Sequence, residues 1–98
     1  MKLLHLCLAL GVTMLFAAEA NAQNAADLAK SKGCLNCHAI DQKKMGPAFK
    51  DVAAKYKGQA DAPGKLVDKL KNGAGHMKIN ATDAELQQLI TWVLATPQ

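Results

Sequence analysis

The 98-residue chain contains no arginine: all twelve of its Lys and Arg positions are lysine, set against eight acidic residues for a formal net charge of +4. Aromatic rings are almost as scarce, with two Phe, one Tyr and one Trp. A basic chain without guanidinium forks and with so few rings lacks the usual means of reading phosphates and stacking on bases. Nucleic acid is therefore excluded as a partner. The lysines are scattered and no run exceeds two, which describes a solvated surface or a docking face for acidic partners. The sequence also lacks internal repeats, low-complexity segments and any stretch of period-two alternation long enough for a strand.

A membrane-spanning run of roughly 20 apolar residues is missing too. What stands in its place is "MKLLHLCLALGVTMLFAAEANA", residues 1–22. Lys2 gives a positive start, Leu3 to Ala18 an apolar stretch broken by His5, Gly11 and Thr13, and Ala20-Asn21-Ala22 a small-x-small cleavage pattern. This is the layout of a secretory signal peptide rather than of an anchor, which places the protein in the periplasm with cleavage near Ala22. Cys7 leaves with the leader. Residues 23–98 then form one domain of 76 residues with two cysteines, eleven lysines and seven acidic residues. A domain this small buries a marginal core and usually needs a staple or a large cofactor.

Helix signals recur along the domain. "QNAADLAKSKG" has Asn24 as a candidate N-cap and Gly33 as a stop. "MGPAFKDVAAKYKG" puts Pro47 at a first helical position, with Phe49, Val52, Ala53 and Tyr56 on one face and Gly58 as terminator. "DAPGKLVDKLKNG" offers Asp61 as cap, Leu66, Val67 and Leu70 as an apolar stripe, and Gly73 as stop. In "TDAELQQLITWVLATP", Thr82 and Glu85 form a capping box, and Leu86, Leu89, Ile90, Val93 and Leu94 follow helical spacing up to Pro97. The expected fold is all-α: four short one-sided helices, better suited to surround something flat and apolar than to fill a core of their own.

The two remaining cysteines lie in "GCLNCHAI", as Cys34-x-x-Cys37-His38. Such a pair can be a redox disulfide, half of a zinc site or a haem attachment point. A redox pair of the thioredoxin kind needs a βαβ setting, and zinc needs a second pair of donors where only His76 is at hand. A lone disulfide across so small a loop stabilises little. The order Cys-x-x-Cys-His suits covalent haem: two thiols add to the two porphyrin vinyl groups, and the adjacent His supplies the iron with an axial ligand. One haem c, with its iron, is the expected cofactor.

The iron then needs a sixth donor or an open site. Met45 follows Cys37 closely and is read as packing on the His38 side. Met77 and His76 lie in "NGAGHMKINATD", far enough along to reach the opposite face. A thioether is soft, neutral and suited to Fe(II); an imidazole is the stronger donor to Fe(III).

"KGCLNCHAIDQKKMGPAFKDVAAKYKG", "KNG" and "TDAELQQLITWVL" resemble the short bacterial class I monohaem cytochromes c, over essentially all of residues 24–95. The resemblance implies a small cytochrome c fold of about four helices wrapped around one covalently attached haem. It implies Cys34 and Cys37 as the thioether positions and His38 as the proximal axial ligand. Pro47 would sit against His38 and help orient it, and Trp92 would pack in the helix interface beside the haem. Met77 takes the place of the distal axial ligand, with His76 as the alternative. The connection before Met77 is shorter than in the family and lacks flanking prolines, so the expected haem edge is more exposed. The implied role is a monomeric, unanchored periplasmic carrier of single electrons and not an enzyme. Its partners would be redox proteins: a respiratory donor complex and a terminal reductase, oxidase or peroxidase. The rival is a five-coordinate haem protein that binds a gas or reduces peroxide, for which the chain offers no distal arginine.

Overall fold

A computed structural model describes residues 24–98. The leader, its cleavage point and Cys7 lie outside the described residues. Among those residues there are four α-helices and no strand: α1 over 24–31, α2 Phe49–Tyr56, α3 Ala62–Asn72 and α4 Asp83–Leu94. A 3₁₀ turn, Cys34–Asn36, follows α1. None of these helices is long and apolar enough to cross a membrane. The all-α expectation holds.

The best-anchored helix is α4. Thr82 Oγ1 accepts from the Glu85 backbone N–H at 3.2 Å, and Glu85 Oε1 accepts from the Thr82 N–H at 2.9 Å. This is the reciprocal capping box that the sequence announces. The backbone hydrogen bond from Thr82 holds the Glu85 carboxyl below its ordinary range. Helix α3 ends as expected on Gly73, whose left-handed backbone (φ 72°) few other residues adopt.

Three local expectations are corrected. Asn24 is inside α1 rather than ahead of it. Asp61 does stand at the N-cap of α3 but does not cap it; its carboxylate instead binds Lys65 one turn on, at 2.8 Å, while Pro63 supplies the preset first turn. Pro47 lies outside α2, which starts at Phe49 after an extended Ala48 (φ −61°, ψ 144°). The Pro47 carbonyl faces a side chain, described below, so the chain at this point serves the site before it serves the helix.

Helix α4 packs against both α2 and α3. The buried apolar residues are Ala25, Ala29, Ala48, Ala53 and Ala62 together with Phe49, Leu86, Leu89, Ile90 and Val93. Among the described residues, half of this core is alanine, and Leu86 is the one large side chain that is fully buried. Larger apolar residues that a self-sufficient core would cover, such as Val52, Tyr56, Leu66 and Leu70, are half-buried. They face the hollow that the helices enclose.

Candidate functional site

The segment after α1 turns on Gly33 (φ 80°) and closes with Cys37 and His38 N–H groups both donating to the Cys34 carbonyl, at 3.3 and 3.0 Å. This turn brings Cys34, Cys37 and His38 to one cavity of about 650 Å³, within the range of cofactor pockets. Helix α2 lines it with Phe49, Val52 and Tyr56, α3 with Leu66 and Leu70, and α4 with Leu89, Ile90 and Val93. The α3–α4 connection adds His76, Met77 and Ile79. The charged side chains on its wall are Lys32, Lys55, Lys69 and Asp51.

Both cysteines are free thiols. Partial burial pushes the Cys34 thiol above its ordinary pKa, with a backbone hydrogen bond pulling the other way. Among the described residues no cluster of three or more His, Cys, Asp or Glu is arranged to hold a bare metal ion. No strand precedes the pair, as a thioredoxin-like site would require. Two thiols and an imidazole on the wall of a large apolar hollow fit a covalently held, flat, iron-bearing group.

His38 is fixed on three sides. Its Nδ1 lies 2.7 Å from the Pro47 carbonyl oxygen, which makes Nδ1–H the donor and leaves Nε2 as a free lone pair. The Phe49 ring stacks on the imidazole at 5.0 Å and 22°. Gly46 closes the third side: a Cβ there would lie 2.7 Å from Nδ1 and 2.8 Å from Nε2 of the ring. Backbone bonds tie this loop to the motif. Gly46 N–H donates to the Cys37 carbonyl at 2.7 Å and Phe49 N–H to that of Ala39 at 2.9 Å, and the Lys44 ammonium reaches the Leu35 carbonyl at 2.9 Å.

The remaining site residues divide. Pro47 does sit against His38, through its carbonyl. Trp92 does not line the cavity. It meets Phe49 edge-on at 5.6 Å (73°), one layer behind the wall, because its place on α4 faces α2 rather than the hollow. Met45, read as packing, is 88 % exposed, with its sulfur 3.8 Å from Cys37 Sγ. Met77 reaches the cavity and is 67 % exposed. His76, its neighbour, is half-buried and its ring is nearly parallel (5°) to that of His38, 6.1 Å away between centroids. Gly46 and the stacking role of Phe49 went unread in the sequence. The one available signal was the Gly-Pro dipeptide itself, which marks a tight turn without saying what the glycine abuts.

The connection that carries His76 and Met77 is held at both ends. Ile79 N–H donates to the Leu70 carbonyl at 2.9 Å, Lys71 binds Asp83 at 3.1 Å, and Lys32 Nζ reaches the Asn80 carbonyl at 3.0 Å.

Comparison with known proteins follows the same lines. Residues 22–97 match the family model described as cytochrome c. Cytochrome c-551 of Pseudomonas aeruginosa is 48% identical over 88 residues, covering 83% of this chain and 85% of that protein. Cytochrome c-552 of Hydrogenobacter thermophilus is 47% identical over 75 residues, covering 69% and 76%. Among solved structures, Nitrosomonas europaea cytochrome c552 superposes with a TM-score of 0.63 at 38% identity, over 74% of this chain and 99% of that one. A class 1 cytochrome of Sideroxydans lithotrophicus gives 0.70 at 33% identity, over 80% and 96%.

Proposed function

Because this chain belongs to the cytochrome c family, and so is an electron carrier with one covalently bound haem c and its iron, we propose that it works in the periplasm and relays single electrons between proteins of a respiratory chain. The observation that carries the reading is the gathering of Cys34, Cys37 and His38 on the wall of one apolar cavity, with the His38 ring already fixed by Pro47 and Phe49.

Haem bound there supplies reversible one-electron chemistry between Fe(III) and Fe(II). The chain's own residues do the rest. Cys34 and Cys37 would hold the group through thioether bonds, and His38 would offer Nε2 while the Pro47 carbonyl keeps its proton on Nδ1. His76 or Met77, on the facing loop, would offer the iron its second donor. With chain donors on both sides of the cavity, bound iron would keep no open site for a substrate, which would suit a carrier rather than an enzyme. Leucine, isoleucine, valine and phenylalanine side chains exclude water, and Lys55 and Lys69 on the wall suit the carboxylates that haem carries. A donor protein of lower potential gives one electron, and an acceptor of higher potential removes it.

The leader pattern at residues 1–22 supports export, and the scattered lysines support brief docking on acidic redox proteins, as a monomer without an anchor. The test is to fractionate cells expressing the full chain and record oxidised and reduced spectra of the periplasmic extract. A c-type haemochrome that stays with the polypeptide under denaturing conditions is expected there. Recovery of the chain in the periplasm without covalently bound haem would refute the reading.

A further inference from the structure

The facing loop presents two adjacent donors, and the geometry distinguishes them. Gly73 and Gly75 both take left-handed backbone (φ 72° and 74°), so the chain reverses sharply on leaving α3. The next fixed point is Ile79, whose N–H is bonded to the Leu70 carbonyl. His76 stands midway between Gly73 and Ile79, at the crest of the arc.

Its side chain is set up as that of His38 is. His38 Nδ1 lies 2.7 Å from the Pro47 carbonyl oxygen, and His76 Nδ1 lies 2.7 Å from the Met77 carbonyl oxygen. A carbonyl on Nδ1 fixes the tautomer with the proton on that nitrogen and leaves Nε2 as the donor, which is the usual outer arrangement of a metal-ligating histidine. The two rings are parallel to within 5° and 6.1 Å apart between centroids. An imidazole nitrogen binds a metal at roughly 2 Å, so two imidazoles sharing one metal through Nε2 hold their centroids on the order of 6 Å apart. Met77, in contrast, is 67 % exposed, and its backbone carbonyl is engaged in orienting His76.

We propose that His76, not Met77, is the axial donor opposite His38, so that the protein is a bis-histidine carrier. This rests on the proposed function, since it presumes haem in the cavity. Met77 is then a positioning residue that acts through its backbone. Two imidazoles favour Fe(III) more than an imidazole and a thioether do, so the reduction potential is lower than His/Met ligation would set.

The experiment uses the full-length holoprotein, its haem content verified by the denatured haemochrome. The oxidised form is recorded for the charge-transfer band near the red end that marks sulfur on Fe(III). The reduced form is recorded by proton NMR for the strongly upfield methyl signal of an iron-bound methionine. Both signatures are expected to be absent from the parent protein. Met77→Leu is expected to leave the visible spectrum and the potential unchanged. His76→Ala is expected to lose the bis-imidazole low-spin spectrum and to bind carbon monoxide readily when reduced. The sulfur band in the parent, or its loss in Met77→Leu, would overturn the assignment while leaving the haem reading intact. Absence of the haemochrome would sink both. Because the parent and Met77→Leu decide the matter between them, a poorly folding His76→Ala does not blunt the test.

Discussion

Lys32, at the end of the first helical segment, and Asn80, 48 residues further on, are joined by a 3.0 Å hydrogen bond from the lysine ammonium to the backbone carbonyl. Glu85 stands 3.9 Å from the same ammonium. One lysine thus links the motif side of the cavity to the loop that faces it. Lys32→Met keeps the apolar stem and removes the charge. It should cost about 1 kcal/mol, as for a single solvent-exposed hydrogen bond. Amide exchange at Ile79 should rise more than at Leu86. Equal rises at both positions would show a global effect and no specific hold on the loop.

Gly46 has no room for a side chain beneath His38. Gly46→Ala must displace either the imidazole or the loop, an overpacking that typically costs about 1–3 kcal/mol. A melting temperature several degrees lower and a disturbed axial spectrum are expected in the holoprotein. An alanine variant with parental spectrum and melting point would show that the loop yields freely.

The Thr82–Glu85 box gives a pH signature. Glu85 titrates below its ordinary range chiefly because it accepts the Thr82 N–H, with the Thr82 hydroxyl and Lys32 as smaller causes. A carboxyl depressed on folding adds stability above its unfolded pKa of about 4.3. That contribution disappears as pH falls through the depressed folded value. Glu85→Gln keeps the shape of the side chain, removes the titrating carboxyl, and should lower stability at neutral pH. The difference from the parent should narrow in acid. Denaturant titrations across that range measure it, and a difference that grows toward low pH contradicts the assignment.

Cys34→Ala and Cys37→Ala each remove one proposed thioether position. Both should sharply reduce the yield of folded holoprotein, because the large apolar residues are left lining a cavity rather than one another. Far-ultraviolet circular dichroism of haem-free chain provides the check. Full, cooperative helicity without haem would disprove the cofactor's structural role.

Salt should slow electron exchange with an acidic partner, since exposed charges are screened over about 10 Å at 0.1 M. Lys43 and Lys78 are the lysines to test; Lys44 is tied to the Leu35 carbonyl and serves the loop. Lys43→Gln with Lys78→Gln should weaken the salt dependence of the bimolecular rate, read by stopped flow. A rate indifferent to ionic strength would exclude charge-guided docking.

What the sequence disclosed is what depends on near neighbours. The capping box needs residues three apart, the Gly73 stop needs one conformational preference, and Cys-x-x-Cys-His needs one turn of chain. The four helices and the cavity-facing sides of three of them follow from spacing alone. What escaped depends on packing between distant segments. The interface place of Trp92 was legible, but its edge-on partner Phe49 follows from how α4 is rotated against α2, which no spacing within α4 states. Gly46 matters because His38 folds back onto it, and Asp61 turned to Lys65 when Pro63 had already shaped the first turn. The choice between His76 and Met77 lies in a carbonyl's direction, which adjacent letters do not record.

The alanines at positions 25, 29, 48, 53 and 62 have a consequence for how the protein comes to exist. Small side chains give the helices little to grip in one another, so the chain without haem has no finished interior to collapse around. On the proposed attachment at Cys34 and Cys37, binding haem would be a step within folding rather than an addition to a folded protein. Polypeptides that miss it keep their apolar faces open to water and proteases. The amount of carrier in the cell should accordingly track the supply of haem more closely than the supply of its message.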